Sequence, residues 1–295
     1  MALEDTLKSW AKAPGQTELD KCDNAVSAVR KAVNASAALS QHNIRVFAQG
    51  SYCNRTNVRE DSDVDVCVCC SDSLLCDYPQ GMSDSDFGLT SPADYSYTTF
   101  KNDVGAALTS YFKGGHVTRG NKAFDIKENT YRIAADAVPC FEHRRYKIDG
   151  TWVTPTGTAF IPDNAWRIVN WPDQNYKNGV TKNSATGGRF KDIVRILKRL
   201  RYKMCEEKIG AANPISSFLV ECLVWNVPNH AFGHETYTSD VRETLANLFN
   251  DTIKMETCEE WGEINELKYI FKGAATKLTE AHAFISAAWD YWGFQ

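Results

Sequence analysis

Asp63 and Asp65 are the residues of this chain whose type and spacing point most directly to chemistry. In Asp63-Val64-Asp65-Val66-Cys67-Val68 polar and apolar positions alternate. That is the two-residue period of a half-buried strand, so both carboxylates point the same way. Aligned carboxylates repel each other and are costly to desolvate unless a cation neutralises them, and hard oxygen ligands favour Mg²⁺ or Mn²⁺ over zinc. Upstream, Gly50-Ser51 interrupts the apolar run Ile44-Arg45-Val46-Phe47-Ala48, which reads as a short buried strand. A Gly-Ser turn lets backbone approach phosphate oxygens closely, and beside aligned acids it suits a metal-bound nucleoside triphosphate. An Asp-x-Asp near a Gly-Ser also arises as a solvated edge strand or a turn. The metal reading is favoured by a third acid, Asp136, set in the apolar stretch Ile133-Ala134-Ala135-Asp136-Ala137-Val138-Pro139-Cys140-Phe141. A lone charge there needs a partner, which predicts that Asp136 meets Asp63 and Asp65 across neighbouring strands and completes a two-metal site.

Such acids need a scaffold. Leu19, Cys22, Val26, Val29 and Val33 recur at helical spacing, predicting an amphipathic helix over about residues 17–39 that packs on the catalytic sheet. From Ser71 to Ser96 the chain is acidic and broken by Pro79, Gly81, Gly88 and Pro92, as in an exposed insertion. A helix over 97–112 follows, then strands at 116–118, 122–127, 131–138 and 144–148, and a hairpin turn at Gly150-Thr151-Trp152. The remainder is almost wholly helical. In the helix over 188–205, Phe190, Ile193, Val194, Leu197, Leu200 and Met204 form a buried stripe, while Lys191, Arg195 and Lys198 line up as a row of cations. The row reads either as a solvated basic face or as a phosphate clamp. Ser216-Ser217-Phe218 opens the next helix, where a serine serves as N-cap and free N–H groups also favour phosphate oxygens. Arg55, Thr56 and Arg59 lie on the loop between the Gly-Ser turn and the acids, and read equally as phosphate contacts or as a solvated loop.

Composition excludes more than it suggests. With 43% apolar and 24% charged residues, the 295-residue chain is an ordinary globular protein large enough for one or two domains. Its net charge of −4 argues against long nucleic acid as an obligatory partner. No window approaches a membrane span and the first residues lack the build of a signal peptide, so a cytoplasmic protein with reduced thiols is expected. Of the ten cysteines, Cys67, Cys69, Cys70 and Cys76 cluster without any familiar zinc spacing and read as small buried hydrophobes.

The Gly50-Ser51, Asp63-x-Asp65 and Asp136 pattern resembles the DNA polymerase β-type nucleotidyltransferase superfamily. Within it, three segments resemble the cGAS/DncV-like nucleotidyltransferases (CD-NTases) of bacteria, which make cyclic oligonucleotide signals in anti-phage defence (CBASS). They are Ala135-Asp136-Ala137-Val138-Pro139-Cys140-Phe141, then Lys182-Asn183 with Thr186, Arg189-Phe190-Lys191, Val194-Arg195 and Leu197-Lys198, then Ile215-Ser216-Ser217-Phe218-Leu219-Val220-Glu221. The resemblance covers roughly residues 40 to 230. It implies an α+β fold: a polymerase β-like nucleotidyltransferase core with a mixed sheet over residues 1–165, including an N-terminal clasp helix, a helical C-terminal domain over 166–295, and an active site in the cleft between them. It further implies that Asp63, Asp65 and Asp136 are catalytic and hold two Mg²⁺ ions, with Mn²⁺ as a substitute. Gly50 and Ser51 would meet the triphosphate, Lys198 would reach its β- and γ-phosphates, Ser217 would contact it, and Phe218 would stack on the base. The expected activity is template-independent synthesis of a cyclic di- or trinucleotide second messenger from NTPs with release of pyrophosphate. The enzyme is expected to be monomeric, with a regulatory or effector protein of a defence system as its partner. A linear oligonucleotide synthetase or RNA-end nucleotidyltransferase is the second reading, and an inactive nucleotide-binding regulator the third.

Overall fold

The computed structural model describes residues 2–58, 63–90, 95–113 and 115–294. Among these described residues seven strands, β1 (Ile44–Gln49), β2 (Val64–Asp77), β3 (Val117–Arg119), β4 (Phe124–Ile126), β5 (Ala135–Arg145), β6 (Gly157–Phe160) and β7 (Ile168–Asn170), make one mixed sheet. β2 runs antiparallel to β1 and parallel to β5. β4 pairs with the start of β5 and carries β3, while β6 pairs further along β5 and carries β7. The helices are α1 (Leu3–Ala11), α2 (Gln16–Asn34), α3 (Gly50–Asn54), α4 (Tyr97–Phe112), α5 (Pro172–Ala185), α6 (Arg189–Glu206), α7 (Ser217–Asn226), α8 (Tyr237–Thr252), α9 (Met255–Cys258) and α10 (Ala275–Tyr291).

Alternation along the central strands separates the two sheet faces. Val64, Val66, Val68 and Cys70 of β2 join Ala135, Ala137 and Phe141 of β5 in a core against Cys22, Val26 and Val29 of α2 and Phe100, Val104 and Leu108 of α4. Each such fully buried large side chain contributes about 1.5–3 kcal/mol. The other face buries Cys67, Cys69, Val138, Cys140 and Phe160 in a smaller cluster. Among the described residues, none of the ten cysteines is in a disulfide.

Two expectations about this region change. β2 does not stop where its alternation ends. Cys70 pairs with Phe141 but Leu74 with Glu142, so Ser71 to Ser73 bulge out and the strand resumes to Asp77, taking in the first residues of the expected insertion. The strands expected at 131–138 and 144–148 are largely one strand, β5, and the hairpin turn follows as Tyr146 bridges to Trp152.

The chain divides into two compact units: a sheet unit of Gly15–Cys53 and Arg59–Asp173, and a helical unit of Met1–Pro14, Asn54–Val58 and Gln174–Gln295. This division runs later than the expected 165/166 border and moves the first helix out of the core. Within the helical unit, Leu7 and Ala11 of α1 share the core of Phe190, Leu197 and Leu200 of α6, Leu223 of α7 and Phe284 of α10. Arg195 Nε donates to the Ala11 carbonyl at 2.7 Å, and Arg199 donates to Ser9 and Trp10 carbonyls. Two cations thus cap the C-terminus of α1, where carbonyls lack helical partners.

Candidate active site

Val64 and Val66 are fully buried on one face of β2, so Asp65 between them must face the other way, and Ala135 and Ala137 orient Asp136 likewise on β5. Register then brings the acids together. Asp65 pairs with Asp136 across β2 and β5, Gln49 of β1 pairs with Asp65, and Asp125 of β4 pairs with Asp136. Gln49, Asp65, Asp136 and Asp125 thereby form one row across four strands spaced about 4.8 Å apart. Asp63, exposed and just ahead of β2, adds its charge to both Asp65 and Asp136.

Electrostatics follow from that crowding. Burial, with the Asp63 charge behind it, lifts the Asp65 pKa to about 6. Asp136 is lifted to about 7, first by burial, then by a hydrogen bond with Asp125 and by the charges of Asp63, Asp125 and Asp65. Adjacent carboxylates in a poorly solvated place cannot all ionise. Gly50 closes the site from β1: its φ of +70° lies in the left-handed region, and a Cβ there would run into the Asp65 carboxylate. Ser51 follows in the first turn of α3, which the buried Tyr52 ties to the sheet core.

These residues fit a hard divalent cation. The donors are all carboxylate oxygens, burial and then neighbouring carboxylates raise the pKa values of Asp65 and Asp136, and the absent side chain of Gly50 lets the Asp65 carboxylate press against the backbone. Among the described residues, the three potential ligand atoms that all lie within 4.8 Å of one another are instead those of His42, Cys70 and Asp72. The aspartates therefore stand further apart than a closed cage. Asp125 went unremarked in the sequence, although Phe124-Asp125-Ile126 repeats the signal that marked Asp136, an acid between two buried apolar residues.

Lys198, Ser217 and Phe218 belong to the helical unit, and there the row of cations changes meaning. Lys198 is 2% exposed, its ammonium donating to the Thr56 carbonyl at 3.0 Å, to Thr56 Oγ1 at 3.4 Å and to Glu221 Oε1. All three of its donors are engaged, and they pin α6 to α7 and to the Thr56 backbone. Thr56, read as a phosphate contact or solvated residue, is buried and donates its hydroxyl to Glu221 at 2.7 Å. Arg195 is likewise buried, holding the Arg55 carbonyl at 2.7 Å and pairing with Asp192. Arg59 lies outside the described residues. One turn beyond Lys198, Tyr202 shares a 2.9 Å hydrogen bond with Ser217, one turn before Glu221. Two rungs, Lys198–Glu221 and Tyr202–Ser217, thus link α6 to α7; the matched four-residue spacings were the available signal. Ser216 caps α7, accepting the Leu219 N–H at 3.0 Å, and the Phe218 ring is 40% exposed.

The family profile of the cGAS/DncV-like nucleotidyltransferase C-terminal helical domain matches residues 177–293. Over 291 residues, 98% of this chain and 97% of the relative, it is 43% identical to the cyclic dipyrimidine nucleotide synthase CdnE of Legionella pneumophila. It is 40% identical to the protein of the same name from Cecembia lonarensis, over 99% of this chain and 98% of that one. Among solved structures, the Elizabethkingia meningoseptica CdnE cyclic dinucleotide synthase with GTP and Apcpp aligns over 100% of both chains with a TM-score of 0.82 at 31% identity.

Proposed function

The chain belongs to the cGAS/DncV-like nucleotidyltransferase family, and we propose that it joins two pyrimidine nucleoside triphosphates into a cyclic dinucleotide. The observation that carries this reading is the register of Asp65 opposite Asp136, with Asp63 beside them and Gly50 pressed against Asp65. Similarity to two dipyrimidine synthases supports the choice of bases. Asp63, Asp65 and Asp136 would hold two Mg²⁺ ions, which when bound supply Lewis-acid stabilisation of charge on the phosphate and pyrophosphate oxygens. Asp136, in register opposite Asp65, would help take the proton of the attacking hydroxyl. That oxygen bonds to the α-phosphorus as the bond to pyrophosphate breaks, and a second such step closes the ring. Two triphosphates give one cyclic dinucleotide and two pyrophosphates. Gly50 lets backbone approach the triphosphate, Ser51 offers it a hydroxyl, Ser217 contacts it and the exposed Phe218 ring offers a face for a base. Lys198 and Arg195 fix the segment Arg55-Thr56 that follows this turn.

In the same reading the product is a second messenger of anti-phage defence, made in the cytoplasm by a monomer and read by an effector protein. No helix among the described residues is long and apolar enough to cross a membrane. The test is incubation with the four NTPs and Mg²⁺, with and without an RNA primer, followed by phosphatase. A phosphatase-resistant small product, abolished by EDTA and formed equally without primer, is expected. Extension of the primer with no such product would overturn the reading in favour of RNA-end transfer.

A further inference from the structure

A second group of ligand-bearing side chains converges further along β2 from Asp65. His42 leads into β1, Cys70 pairs with Ile44 in the β1–β2 register, and Asp72 sits in the bulge between Cys70 and Leu74. The bulge aims Asp72 at His42: its Oδ2 lies 3.1 Å from His42 Nδ1 and accepts the Asn43 N–H at 2.9 Å. The His42 ring is stacked on Tyr95 at 4.0 Å and 5°, and the Tyr95 hydroxyl donates to Asp103 at 2.6 Å, so the imidazole plane is fixed from behind. One ligand atom from each of His42, Cys70 and Asp72 lies within 4.8 Å of the other two. Cys70 is buried and Asp72 exposed, so the group opens to solvent on its acid side.

We propose that His42, Cys70 and Asp72 form a binding site for Zn²⁺, chemically unlike the all-carboxylate row at Asp65 and Asp136. One nitrogen, one thiolate sulfur and one carboxylate oxygen are a borderline-soft set that suits zinc, whereas Mg²⁺ takes oxygen alone. Zinc bonds of about 2.0–2.3 Å at tetrahedral angles set ligand atoms roughly 3.3–3.7 Å apart. The His42–Asp72 separation of 3.1 Å is already close to that edge. The remaining separations, none above 4.8 Å, close with shifts of about 1 Å. The Asn43 N–H on the carboxylate and the Tyr95 ring behind the imidazole are the outer supports such ligands use. Binding expels the Cys70 thiol proton to solvent and leaves a fourth position for water or an incoming ligand. The bound ion would tie the entry of β1 to the bulge of β2.

Cobalt(II), a spectroscopic stand-in for zinc, tests this on the full-length protein. One equivalent should give a thiolate-to-cobalt charge-transfer band in the near ultraviolet, displaced by Zn²⁺. Asp65→Asn, which weakens the carboxylate row, should leave the band intact. His42→Ala and Asp72→Asn, both at solvent-accessible positions, should each weaken cobalt binding at least about tenfold while thermal melts show a folded protein. Absence of the band in excess cobalt, or an undiminished band in either variant, would overturn the proposal.

Discussion

Asp65 keeps its proton up to about pH 6 and Asp136 up to about pH 7, where ordinary aspartates would have lost theirs. Because both pKa values are raised in the folded state, the folded protein binds these protons more tightly than the unfolded chain does. The associated stability is fully present below the ordinary aspartate range and is lost as pH rises through about 6 for Asp65 and about 7 for Asp136. In EDTA, thermal melts from acidic pH to about 8 should therefore show a falling midpoint, less steep in Asp65→Asn and Asp136→Asn. Equal slopes in the wild type and both variants would refute the crowding of these acids. Mg²⁺ should raise the midpoint more at the alkaline end, where the carboxylates are free to bind it. Gly50→Ala must adopt a left-handed conformation costing about 1–2 kcal/mol and displace the Asp65 carboxylate as well, so activity should fall far more than stability. The acids were legible in the sequence because a strand's two-residue period fixes which way they face. Lys198 was not legible in the same way: helical spacing reveals a row of cations, but not that Glu221 and the Thr56 carbonyl lie beneath it.

At the scale of elements, α6 and α7 are joined by a buried ion pair whose removal has a sharp signature. Lys198→Ala would strand Glu221 without its partner in the interior, costing about 3–5 kcal/mol. Lys198→Met with Glu221→Leu should recover most of that stability, read as the urea midpoint. If the double variant recovers its fold and its KM for NTP, Lys198 serves as a pin; a recovered fold with a much raised KM would restore the phosphate role to the lysine itself. Elements with uninterrupted periodicity were legible from sequence. α4 spans the expected residues 97–112, with Ser96 capping it through the Thr99 N–H at 3.1 Å. The second half of β2 was not legible, because the bulge at Ser71 to Ser73 breaks the alternation that a strand reading relies on. Nor was the grouping of α1 with the helical unit, which rests on Arg195 and Arg199 meeting its last carbonyls.

For the whole molecule, a net charge of −4 and a site of crowded carboxylates suit small triphosphates carried with cations better than long nucleic acid. Turnover of NTPs should accordingly change little between low and moderate salt, where RNA binding through many phosphate contacts would fall steeply. A strong salt dependence of the kcat/KM for NTP would count against that. Which bases are joined was beyond the sequence motifs, since those residues handle phosphate and metal, and the pyrimidine assignment rests on the relatives. The central claim, that the row centred on Asp65 and Asp136 makes a cyclic dipyrimidine, is tested most directly by mass spectrometry of the products formed from all four NTPs and Mg²⁺ by wild type and Asp136→Asn. The wild type should yield predominantly a cyclic dipyrimidine, and the variant should bind NTP yet yield none. A predominantly linear wild-type product, or cyclic product at the wild-type rate from Asp136→Asn, would contradict the claim.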